Sequence, residues 1–366
     1  MTAAASAGRQ TQRTLPPAVR GRTRRFSRLL ALALFITFDL IMFGAFVRIS
    51  DAGLGCPDWP GCYGKATPIG AMAEIRAEAA VRPGGPVTVV KAWIEMLHRY
   101  VAGALGLLII GLAWLAWRER PSARQVADAG GVGASFGLAL FTLLWVILQG
   151  LFGMWTVTLR LQPAVVTTHL LGGIFLFLLL LMQTNRVRPQ PPVAAKAGRY
   201  RWWGRVAMAL LFLQIALGGW VSSNYATLAC QDFPTCQGAW WPEMDIAGGF
   251  ELWRPLGMRA EGGALPFQAL TAIHYAHRLM AYVVLATIGL LAWRVRRIQG
   301  LERIGNWLLL ILLAQLITGL TNIFLDWPMA AAVLHTGGAT ALAGLMLMLN
   351  FRSGAGRRLP LDPSGA

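Results

Sequence analysis

Glu95 and His98 stand three residues apart at the start of an apolar run that ends near Trp117, so on a helix they share a face. Arg99 follows directly. Ionisable side chains are rarely placed in such a run without a task, because burying them in hydrocarbon is costly unless they are paired or neutralised. The arrangement recurs as His274, His277 and Arg278, again opening a long apolar run. All five histidines, His98, His169, His274, His277 and His335, lie within about two helical turns of the same end of an apolar segment. Four of them, His98, His169, His277 and His335, sit roughly 8–10 Å along their segments at ~1.5 Å per residue.

Four imidazoles at one depth on separate helices suit a pair of bis-histidine heme sites, because a six-coordinate heme iron takes one imidazole on each face. Zinc and copper also accept imidazole, but zinc normally gathers three or four protein ligands, and here the histidines fall into twos. His98 with His169, and His277 with His335, is the economical pairing. The alternative for each ring is helix packing, with a hydrogen bond to a neighbouring carbonyl.

The chain around these residues reads as membrane-embedded. Of 366 residues, 56% are hydrophobic and 13% charged, about half the charged share of a soluble domain. Fifteen tryptophans and forty-one glycines fit interfacial anchoring and close helix approach. The net charge of +17 does not point to nucleic acid, because the basic residues are confined to particular loops. Eight runs are long enough to cross a bilayer: roughly 29–49, 92–117, 134–157, 164–184, 204–223, 270–293, 305–325 and 329–350.

Arginines crowd the N-terminus and the 118–133, 185–203 and 294–304 loops and the C-terminal tail, whereas 50–91, 158–163, 224–269 and 326–328 are mixed or sparse in charge. This alternation predicts cytoplasmic termini and two long outer loops. The first run is too long for a signal h-region and no convincing cleavage site follows, so a retained first helix is expected. The expected organisation is a basic tail over 1–28, a four-helix half over 29–184, a cytoplasmic linker over 185–203, a second four-helix half over 204–350 and a tail over 351–366.

The halves repeat one another. Gly44-Ala45-Phe46-Val47 before Cys56 and Cys62 corresponds to Gly218-Gly219-Trp220-Val221 before Cys230 and Cys236, at one constant offset. Gln149 stands twenty residues before His169 and Gln315 twenty before His335, and each of these histidines precedes a glycine pair. Two similar four-helix bundles side by side are the expected all-α fold.

Glu95 breaks the symmetry, since its counterpart is His274. A carboxylate at a heme edge can move protons or stabilise positive charge on a reacting carbon, so one reactive site and one electron-transfer site are expected; the alternative is a solvated interfacial carboxylate. Arg99 and Arg278 are placed either to meet heme propionates or to snorkel to headgroups. Asp39, near the middle of the first run, has no counterpart. Both C-x5-C loops lie outside, where thiols oxidise, and no other cysteine competes. Structural or redox-active disulfides are both compatible with that spacing.

These motifs together resemble the heme A synthase family. The likeness is carried by Gly44-Ala45-Phe46-Val47-Arg48, Gly53-Leu54-Gly55-Cys56-Pro57-Asp58-Trp59-Pro60, Glu95-x-x-His98-Arg99, Thr168-His169-Leu170, His277-Arg278 and Leu334-His335. The resemblance implies a membrane oxidoreductase that converts the C8 methyl of heme O to the formyl of heme A for terminal oxidases. It implies substrate heme between His98 and His169 with Glu95 essential, and a permanent heme b cofactor between His277 and His335. It likewise implies outer-loop disulfides at Cys56, Cys62, Cys230 and Cys236, and residence in a bacterial inner membrane with the long loops on the periplasmic side. Heme O and membrane lipid are its expected partners; contact with heme O synthase or oxidase assembly factors, and a homo-oligomer, stay open. His274 departs from the neutral residue expected there. A diheme b-type electron carrier and a heme-transport protein are the rival functions, and neither needs Glu95.

Overall fold

The computed structural model describes residues 17–119, 134–188 and 190–355. Eight of its helices are long and apolar enough to cross a membrane. In chain order the helices are α1 (Pro17–Ile49), α2 (Met72–Val81), α3 (Val89–Arg118), α4 (Phe136–Thr158), α5 (Pro163–Val187), α6 (Arg201–Ser223), α7 (Ile246–Gly249), α8 (Phe267–Val295), α9 (Glu302–Phe324) and α10 (Met329–Ala355). Short α2 and α7 lie in the two long loops; the other eight are the spans. Among the described residues there is no β-strand beyond isolated bridges.

Local chemistry sets the helix ends. Thr88 Oγ1 accepts from Lys91 N at 3.2 Å, and Gln162 Oε1 accepts from Val165 N at 2.9 Å with Pro163 at the first helical position. Left-handed residues stop the chain at corresponding places in each half: Asp51 and Tyr225 after α1 and α6, Arg160–Leu161 and Asp326–Trp327 after α4 and α9. Hydropathy marks entry into hydrocarbon rather than the first helical bond, so α1 begins well before the expected residue 29.

Within the first half, α1, α3, α4 and α5 pack in a closed ring, each against its two neighbours, and α6, α8, α9 and α10 repeat that ring. The rings meet where α1 packs on α10, α5 on α6, and α5 on α10. Ile174 and Phe177 of α5 join Leu342 and Met346 of α10 in the largest apolar cluster, which therefore crosses the seam. Outward-facing Leu107, Leu144, Ile147 and Leu313 are more than half exposed, as lipid-facing surface should be.

The 185–203 segment is a packed connection rather than an open linker. It forms a 3₁₀ helix over Ala195–Tyr200, buries Val193 and Ala197, and donates from Ala194 N to Gln299 O at 3.1 Å. The expected loop over 118–133 falls mostly outside the described residues, as do residues 1–16 of the expected 1–28 tail and 356–366 of the expected 351–366 tail; the rest of each tail, 17–28 and 351–355, continues α1 and α10.

The two long loops lie at one end of the bundle and touch. Arg48 Nη2 donates to Ser222 O at 2.7 Å, its guanidinium lies 4.0 Å over the Tyr225 ring, and Tyr225 Oη donates to Asp51 Oδ1 at 2.6 Å. Residues 48 and 222, and 51 and 225, correspond under the sequence repeat, so each position here meets its own counterpart.

Candidate functional site

A single cavity of about 1260 Å³ opens under the two long loops, and His98, His169, His277 and His335 all line it, with Glu95 and Gln149. Its wall is mostly apolar, and its volume exceeds the ~300–1000 Å³ of a usual small-ligand site. His98 lies close enough to His169, and His277 to His335, for the rings to interact electrostatically.

Each ring rests on a glycine of the membrane-spanning helix before its own. A methyl added at Gly44 would stand 3.1 Å from His98 Nε2, at Gly153 3.4 Å from His169 Cε1, at Gly218 3.0 Å from His277 Cε1, and at Gly319 3.4 Å from His335 Cε1. Only a bare backbone lets the imidazole lie flat against that helix and leave the rest of the cavity clear. We expect Gly218→Leu to displace His277 from the cavity, and pigment content after purification checks this: pigment retained at the parental level would refute it.

The rings are suited to a metal that brings its own apolar frame. His169 Nδ1 and His277 Nδ1 are buried with no hydrogen-bond partner, which is costly for a polar atom unless a ligand or its hydrogen-bonding orientation resolves it. Among the described residues, no three His, Cys, Asp or Glu side chains gather closely enough to hold a bare metal ion. Imidazoles meeting in pairs across a broad apolar slot fit a porphyrin, whose four equatorial ligands are its own.

Glu95 is 4% exposed, and its carboxylate is held at both oxygens. Arg99 Nη2 donates to Oε1 at 2.5 Å and Cys56 N donates to Oε2 at 2.8 Å. Arg99 also donates to Asp58 O at 2.8 Å and Gly61 O at 2.6 Å, pinning the first cysteine loop onto α3. Arg278 does the same for the second loop, donating to Asp232 O at 2.9 Å, Thr235 O at 2.6 Å and Cys230 O at 3.2 Å. The sequence placed these arginines opposite propionates or headgroups; both line the cavity, and most of their donors are directed to loop carbonyls, which the sequence did not indicate. Arg278 Nε is left without a partner, and no carboxylate lies within 4 Å of Arg278 among the described residues.

His274, the counterpart of Glu95, is buried with Nδ1 3.0 Å from Ala226 O and Nε2 3.5 Å from Arg278 Nη2. It packs under the loop, beside the paired rings. Asp39 is exposed on α1, at a small cavity lined by Phe43 and Val101 that no histidine lines.

Both cysteine pairs are bonded, Cys56 to Cys62 and Cys230 to Cys236, and all four sulfurs are buried. Each turn is also closed by a carboxylate. Asp58 accepts from Tyr63 N and Gly64 N, and Asp232 from Gln237 N, Gly238 N and Thr235 Oγ1. The Thr235 hydroxyl and these amides hold Asp232 down to about 2 from its ordinary 3.8. That contribution is complete above pH ~3.8 and lost as the pH falls through about 2, so this turn stays charged and closed at every physiological pH.

Sequence reasoning missed the glycine cradles, although Gly44 and Gly218 were visible as repeat markers and Gly153 and Gly319 share the offset of Gln149 and Gln315. It also missed the bond from Cys56 N to Glu95, which joins residues far apart in the chain.

Residues 27–347 match the COX15-CtaA family, described as cytochrome oxidase assembly protein. The chain is similar to a heme A synthase of Shewanella oneidensis, 38% identical over 325 residues, 88% of this chain and 95% of that protein. A heme A synthase of Halalkalibacterium halodurans is 30% identical over 56% of this chain and 61% of its own length. One from Caulobacter vibrioides is 25% identical over 89% and 96%.

Proposed function

Because the chain belongs to the COX15-CtaA family of heme A synthases, we propose that its two histidine pairs divide the work between substrate and cofactor. The protein is a multi-pass membrane oxidoreductase of the heme A synthase type. On this reading the amino-terminal half, 29–184, holds heme O between His98 and His169. The carboxy-terminal half, 204–350, holds heme b between His277 and His335.

The observation that carries the division is Glu95. A buried carboxylate opens onto the His98–His169 side of the cavity, and the equivalent place beside His277 holds a neutral-capable imidazole engaged with a backbone carbonyl. Taking the C8 methyl of heme O to a formyl removes protons and electrons and adds an oxygen atom. Glu95 is the side chain that can accept a proton at the methyl or stabilise positive charge developing on that carbon. Arg99 and the Cys56 amide hold the carboxylate in one orientation, so little reorganisation is needed when charge develops. Heme b, when bound, supplies a second iron for electron transfer, and the continuity of the cavity keeps the two sites adjacent. Arg278 lines the cavity with its Nε unpartnered and no carboxylate within 4 Å among the described residues, so it is the cation left to face an acidic group of the cofactor, while Arg99 is already matched by Glu95.

The repeat of sequence offsets, left-handed turns, ring-backing glycines and loop clamps supports two copies of one four-helix unit. The arginine distribution and the two disulfides support placing the long loops on the periplasmic side of a bacterial inner membrane.

Extracting noncovalent pigment from the purified protein tests this reading. Heme O, its alcohol or heme A is expected beside heme b. Heme b alone, at two per chain, would make the protein an electron carrier instead.

A further inference from the structure

We propose that Thr318 locks His335 as a permanent iron ligand, while Phe152, at the same place in the other half, leaves His169 an unassisted and therefore exchangeable one. The proposal rests on the ligand assignment above and adds a reason why one heme stays and the other turns over.

Thr318 and Phe152 correspond under the repeat. Each stands three residues after the matched glutamine (Gln315, Gln149) and directly before the glycine that backs the histidine ring (Gly319, Gly153). Thr318 Oγ1 lies 2.9 Å from Ala314 O and 3.3 Å from Gln315 O. A helical threonine commonly back-bonds to the carbonyl four residues before it, and that assignment commits the hydroxyl proton to Ala314 O. The same Oγ1 lies 2.9 Å from His335 Nδ1, and with its proton committed it can only accept there. His335 therefore carries its proton on Nδ1, and the Nε2 lone pair is free for iron. A hydrogen bond at the far nitrogen fixes the ring orientation and makes the imidazole a stronger donor.

The amino-terminal half lacks this device. The Phe152 ring stacks edge-on to Trp155 with centroids 5.2 Å apart and offers no acceptor. His169 Nδ1 is buried and has no partner among the described residues. Loss of such an outer partner typically weakens metal affinity by ~10–100-fold. A catalyst whose substrate and product are both hemes, working beside a heme that must remain, needs this difference between its sites.

The test uses the full-length, heme-loaded membrane protein. Thr318→Val keeps the shape and removes the acceptor. It should speed heme transfer from the carboxy-terminal half to excess apomyoglobin by about 10–100-fold and raise the midpoint potential of the remaining low-spin heme, because a less electron-rich imidazole favours the ferrous state. Thr318→Ser should restore both values. In a His335→Ala background, where added hemin reports the amino-terminal half, Phe152→Thr should slow release. Parental release rate and potential in Thr318→Val, or a serine variant behaving like valine, would overturn the role of Thr318; unchanged release in Phe152→Thr would overturn that of Phe152. If His335→Ala itself keeps the carboxy-terminal heme, the ligand assignment falls and this proposal with it. Heme lost in His335→Ala but untouched in Thr318→Val sinks this proposal alone.

Discussion

Glu95→Gln should yield a protein that keeps its bound heme and makes almost no heme A. A positioned acid–base group contributes about 10²–10⁴-fold to a rate, so formyl product should fall by that factor. Glutamine keeps the size of the side chain and one acceptor oxygen, which can retain the Cys56 amide now bonded at 2.8 Å. Its amino group would then face Arg99, a donor against a donor, and the 2.5 Å ion pair is lost. The first cysteine loop should nevertheless stay docked, since Arg99 keeps its bonds to Asp58 O and Gly61 O. Function and fold are therefore separable at this residue. Glu95→Asp is the sharper companion, because a side chain one methylene shorter cannot reach both Arg99 and the Cys56 amide. Chromatography of pigments extracted from membranes, alongside the visible spectrum, provides the measurement. Heme A at the parental level in Glu95→Gln would remove this carboxylate from the chemistry.

Why Glu95 could be singled out from sequence, while its partners could not, comes down to distance along the chain. Burial of an acid at the mouth of a span and its replacement by His274 in the repeat are local facts, as are the eight apolar runs and the common depth of four histidines. The glycine cradles are contacts between different helices, and a glycine in a membrane helix has too many ordinary reasons to be there for its spacing to name a partner. The loop contacts of the arginines were hidden for a related reason. A guanidinium at a membrane boundary has several available acceptors, and only the folded cysteine loops show that backbone carbonyls of residues such as Asp58 and Thr235 capture it. Elements without periodicity, α2 and the 3₁₀ turn at Ala195–Tyr200, were illegible because their placement depends on what they pack against.

Alanine replacements of the four histidines should split into two classes, and that split is the strongest test of the division between halves. His277→Ala or His335→Ala removes an axial ligand of the proposed cofactor, so low-spin heme b absorption should be lost nearly completely. His98→Ala and His169→Ala should leave that absorption in place and abolish heme A formation, because only the substrate side is affected. The void left by an imidazole against Gly218 or Gly319 is large enough for the free base to return, since those glycines lie against the ring with no intervening side chain. Added imidazole should therefore restore part of the low-spin spectrum in His277→Ala and His335→Ala, which a merely misfolded protein would not do. His274→Gln serves as the control: its ring is occupied by Ala226 O and Arg278, so the spectrum should survive. Equal loss of low-spin heme in all four alanine variants would mean that the halves do not divide substrate from cofactor. An unchanged spectrum in His277→Ala or His335→Ala would exclude that residue as an iron ligand.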